Sequence, residues 1–116
     1  MLVEQYQRTV NLLDKEIADL EKKKAEADGK SASAQNRAAG VYISKTASAS
    51  MVNSKLRQID RYKNDAIKAQ KISADLQKKI ADKRKKRNEA YIRLQKEQQN
   101  EQKRQNIEAQ KMQEAY

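Results

Sequence analysis

Residues 3–20, VEQYQRTVNLLDKEIADL, place large apolar side chains at Val3, Tyr6, Val10, Leu13, Ile17 and Leu20. The gaps alternate between three and four, so on an α-helix these residues share one narrow stripe, the a and d positions of a heptad. The same phase continues through Lys24, Ala27, Ser31, Ala34, Ala38 and Val41. There the stripe becomes small, which permits a closer helix–helix approach than a bulky seam would. Asp28-Gly29 reads as a weak point and not as a stop, because the phase runs through it undisturbed.

A second stripe follows at Ile59, Tyr62, Ala66, Ala69, Ser73, Leu76, Ile80, Lys83, Arg87, Ala90 and Leu94. Leu56, Ile67, Ile72 and Ile92 fall outside it and widen the apolar face, and Leu56, Ile67 and Ile72 mark a possible face for a second copy. Between the stripes, KTASAS at 45–50 gathers poor helix formers and natural N-caps. The hydroxyl of Ser48 or Ser50 can accept from the first free N–H groups of the following helix. This spacing predicts a first coiled-coil helix over 1–44, a hinge at 45–50 and a second helix over 51–94. A polar helical extension over 95–116 has strong helix formers, no stop signal and few large apolar groups, as if leading to a further C-terminal domain.

Composition agrees. The 116 residues are 37% hydrophobic and 36% charged, with two Gly and no Pro, Trp or Phe. Such a chain lacks the bulk for a globular core and the turns to wind one, whereas long helices that bury a single stripe suit it. High charge with low hydropathy is also the mark of disorder, and the sustained periodicity decides against it. Without Cys or His there is no thiol or imidazole chemistry and no ordinary zinc, haem or iron–sulfur site, so no cofactor and no metal is expected. No apolar run has the length of a membrane span and no secretory leader is visible, which predicts a soluble cytoplasmic chain.

If the chain reverses near Thr46 to Ser48, facing residues have numbers adding to roughly 93–97 by heptad arithmetic. Ala34 and Ala38 then face the region of Ile59 and Tyr62, Ala27 faces Ala66 and Ala69, and Leu20 and Ile17 face Ser73, Leu76 and Ile80. Small meets small or medium near the hinge and large meets large further out. The expected architecture is a long antiparallel helical hairpin. Its single seam is marginal alone and gains by pairing into a homo-oligomer.

The strongest local charge signal is Lys78, Lys79, Lys83, Arg84, Lys85, Lys86 and Arg87. Residues 51–116 carry 18 basic and 9 acidic groups, against 8 and 7 in residues 1–50. Such a patch can track phosphates by counterion release, but aromatic interleaving and any nucleic-acid-reading motif are missing. The favoured reading is a solvated coiled-coil face, with Lys83 and Arg87 snorkelling from the seam toward Asp14 and Glu4. Glu16, Asp19, Glu21 and Glu26 are expected to pair with Lys22, Lys23, Lys24 and Lys30 on an exposed face. A two-helix rod offers no water-excluding cavity for catalysis, so the chain is read as non-enzymatic.

DKEIADLEKKKAEADGK (14–30), SKTASASMVNSKLRQIDRYKND (44–65) and ADLQKKIADKRKKRNEAYIRLQKEQ (74–98) resemble the coiled-coil regions that precede Toll/interleukin receptor (TIR) domains in bacterial proteins. The hinge followed by SKLRQIDRY is the most telling part, and the likeness covers residues 10–100. It implies an assembly or sensing arm of a bacterial antiphage effector, whose TIR domain cleaves NAD or makes a nucleotide signal when assembled. No catalytic residue carries over, because that domain lies outside this chain. The small stripe from Ser31 to Ala38 departs from the family's Lys/Ile-rich pattern. Two other classes fit the same composition: a basic coiled-coil adaptor that plugs into a secretion-apparatus ATPase, and a nucleic-acid-binding hairpin.

Overall fold

A computed structural model describes Met1–Ala115 as two helices packed antiparallel, with no strand among the described residues. Helix α1 is Leu2–Ala39 and helix α2 is Ala49–Ala115. Two compact units are distinguished, residues 19–80 and residues 1–18 with 81–115, and each contains a stretch of both helices.

In the 19–80 unit, α1 ends at Ala39, before the expected boundary at residue 44. The Gly40 N–H still donates to Asn36 O at 3.0 Å, and the Val41 N–H turns to Ala38 O at 3.4 Å, tightening the last turn. Gly40 and the β-branched Val41 and Ile43 give poor helix propensity in succession, which explains the early stop. Val41 therefore belongs to the connector, although it remains half-buried. The reversal is a turn in which the Ala47 N–H donates to Ser44 O at 3.2 Å. The Ser44 hydroxyl also accepts from the Thr46 N–H at 3.3 Å.

Of the two candidate caps, Ser48 takes the position: its Oγ accepts from the Met51 N–H at 3.2 Å, and α2 starts at the next residue. Ser48→Ala is expected to lower stability by about 1 kcal/mol, read as the shift in urea midpoint. The connector runs back beside the first turns of α2. Gly40, Val41 and Tyr42 share a cleft with Lys55, Gln58 and Tyr62, while Ile43 and Ala47 share another with Met51 and Lys55.

That detour corrects the register. Asp28 faces Ser73 in this unit, and in the other Glu16 faces Lys83 and Asp14 faces Arg87. Partner numbers therefore add to about 100, one heptad layer beyond the expected pairing. Gly29 stays inside α1, fully on the solvent side, with nothing within 4 Å of where a Cβ would stand.

In the unit of residues 1–18 and 81–115, Val10, Leu13, Ala90 and Leu94 form the buried core, flanked by Val3 and Tyr6. The N-terminal turn of α1 lies against Glu97, Glu101 and Arg104 of α2. Glu97 and Glu101 continue the 3,4 phase after Leu94, and both are half-buried. Carboxylates at that place answer the positive end of the α1 dipole. Beyond them, residues 102–115 remain helical and exposed.

Candidate functional site

The seam residues are placed as follows. Val10, Leu13, Ile17, Ala27, Ala34, Ala66, Ala69, Ile80, Ala90 and Leu94 are buried. Val3, Tyr6, Leu20, Ala38, Ile59, Tyr62 and Leu76 are half-buried. Two hydroxyls, Ser31 and Ser73, also sit in the buried stripe. Ser73 Oγ donates to Asp28 Oδ1 at 2.5 Å, and Lys24 Nζ lies 3.0 Å from Asp28 Oδ2.

The Ser73 hydroxyl first, and the Lys24 ammonium second, hold the Asp28 carboxyl below its ordinary value of 3.8. A depressed carboxylate contributes stability that is complete above that ordinary value and lost as pH falls through the lower folded one. Thermal melts should therefore show a gap between the wild type and Asp28→Asn that is constant from neutral pH to mild acid. The gap should close only as pH falls below 3.8.

The cationic run does not form one surface. Ten consecutive helical residues wind through nearly three turns, so their side chains point all round the axis. Lys83 and Arg87 are half-buried at seam positions. Arg87 Nε bonds Asp14 Oδ1 at 3.0 Å, as the spacing suggests, and its guanidinium stacks 4.8 Å from the centroid of Tyr91. Lys83 reaches Glu16 Oε2 at 2.8 Å, not Glu4, so Glu16 faces the seam and not the exposed lysines expected for it. Arg84 is also engaged with a neighbour. Lys78, Lys79, Lys85 and Lys86 are left exposed.

Leu56, Ile67 and Ile72 do not share a face either. At 100° per residue, Leu56 and Ile67 lie about 20° apart on one flank of the seam, with Ile72 about 140° from Ile67 on the other. All three are about half exposed, at 48%, 48% and 55%. Heptad counting treats them as one set because all lie outside a and d. Their angles around the axis were the available signal.

Ile72 stands in a groove between the helices that no single motif announced. Two adjoining clefts of 340 and 270 Å³ share Lys30, Ala69 and Ile72. Ala27 and Ala34 floor them beside Ala69, and Ile72, Leu76 and Tyr62 wall them. Lys23, Lys30, Arg37 and Lys68 line the rim with Glu26 and Asp65. The small stretch of the seam opens this groove, since alanines leave unfilled the space that leucines would occupy.

No helix among the described residues is long and apolar enough to cross a membrane. No group of three or more His, Cys, Asp or Glu side chains gathers among them as a metal site would require. Comparison with family models, with curated proteins and with solved structures finds no match.

Proposed function

We propose that this chain is a non-catalytic assembly module, a helical hairpin that brings copies of itself together. One observation carries the reading: both apolar stripes are consumed inside the hairpin, yet Leu56 and Ile67 remain half exposed on one flank of α2. These two residues are three turns apart, about 16 Å, on nearly the same line of the helix. Apolar side chains so aligned suit a partner helix better than water. A second copy presents the same flank, and a two-fold contact needs only one self-complementary patch. The resemblance to the coiled coils that precede bacterial TIR domains supports the same role: as the assembly arm of such an effector, this module would bring catalytic domains borne elsewhere into proximity.

Light scattering on the purified chain tests it. The wild type should run above the monomer mass, and Leu56→Asp with Ile67→Asp should return it to the monomer without loss of helical circular dichroism. A wild type that is monomeric at 100 μM sinks the proposal.

A further inference from the structure

We infer that the Lys30–Ile72 groove is a second, separate interaction site, one that takes an acidic amphipathic helix from another protein. The argument begins with the rim. Four cations, Lys23, Lys30, Arg37 and Lys68, face two carboxylates, Glu26 and Asp65, and none of the six is tied up in an ion pair. The site is thus net positive within a chain that already carries +10. That excess disfavours pairing of this groove with the same groove of a second copy, because two such rims face to face would set cation against cation.

The floor and walls exclude a phosphate chain as the best fit. A nucleic-acid backbone satisfies the rim but leaves Ile72, 55% exposed, and half-buried Leu76 uncovered. A helix satisfies both. Its apolar residues at i, i+3, i+4 and i+7 fill the trough between α1 and α2 as a third helix does in a bundle, and glutamates on its flanks meet the lysines. From Lys23 to Arg37 the groove runs about 21 Å, or four helical turns, which an occupant of about fifteen residues matches.

This inference goes beyond self-assembly and uses the opposite flank from Leu56 and Ile67, so either can fail alone. The test uses the full chain and a fluorescein-labelled synthetic peptide of about eighteen residues, with Leu and Ala at heptad spacing and Glu on both flanks. Anisotropy should show saturable binding that weakens with added salt. The variant Lys30→Glu/Arg37→Glu/Lys68→Glu should weaken it at least about tenfold, and Ile72→Gln at least about threefold. The control Lys78→Glu/Lys85→Glu should bind as the wild type does. Circular dichroism melts confirm that each variant is folded, and light scattering records its oligomeric state in parallel. The inference is overturned by no binding, by equal binding of a scrambled peptide, or by an unchanged affinity in the triple variant. Displacement of the peptide by short duplex DNA at lower concentration would assign the groove to phosphates and overturn it as well.

Discussion

Leu13→Asp with Ile17→Asp is expected to abolish most of the helical circular dichroism of the chain at micromolar concentration. Both side chains are 9% exposed, and Leu13 belongs to the cluster with Val10, Ala90 and Leu94. Each substitution removes a large apolar group and puts a carboxylate in a seam whose nearby cations, Lys83 and Arg87, are already bonded to Glu16 and Asp14. Loss of each buried Leu or Ile side chain is itself unfavourable by about 2–5 kcal/mol, so the pair should lose more than about 5 kcal/mol. A hairpin with one seam has little more than that in total. Leu12, 58% exposed and one residue away, is the internal control. Leu12→Asp should shift stability by less than about 0.5 kcal/mol. Equal effects at residues 12 and 13 would show that the phase assigned to α1 is wrong.

The second large effect is expected at Ile80, the most deeply buried large side chain among the described residues, at 1% exposure. Ile80→Ala should lower the free energy of unfolding by about 2–4 kcal/mol, through lost apolar burial and the cavity left behind. The same change at Ile67, 48% exposed, should stay below about 0.5 kcal/mol in the monomer. Urea denaturation at a concentration where light scattering shows the monomer, with a constant m value, separates the two, and a comparable loss at both positions would mean that Ile67 is also packed within the chain.

The helical phase was legible in the sequence because it is a repeated signal. Every position from Val3 to Leu94 in the 3,4 count ends up buried or half-buried, including Lys24, Lys83 and Arg87. Register is a different kind of quantity. It depends on how much chain the reversal uses, and Gly40 to Ser48 uses more than a tight hinge by running back along α2. Only the tertiary packing of Val41, Ile43 and Ala47 reveals that path.

The candidate surfaces were less legible still. Counting which residues lie off the seam does not say on which side, so it sets Ile72 with Leu56 although the two lie across the helix from each other. The cationic run was conspicuous as text, but it divides on folding into seam-bound Lys83 and Arg87 and outward lysines. The groove draws Lys23, Lys30 and Arg37 from α1 and Lys68 and Ile72 from α2, a set no linear motif can show.

Lys83 and Arg87, seated where a coiled coil would ordinarily take leucine, act mainly against wrong alignments. Their bonds to Glu16 and Asp14 are half-solvated and add little net stability. Sliding one helix by a heptad, however, sets Lys83 against Thr9 and Arg87 against Gln7 in one direction; in the other Arg87 meets Glu21 but Lys83 meets Lys23. Either slip strands a charge inside the interface, a penalty an all-leucine stripe would not impose. The hairpin thus trades some adhesion for a single way of closing.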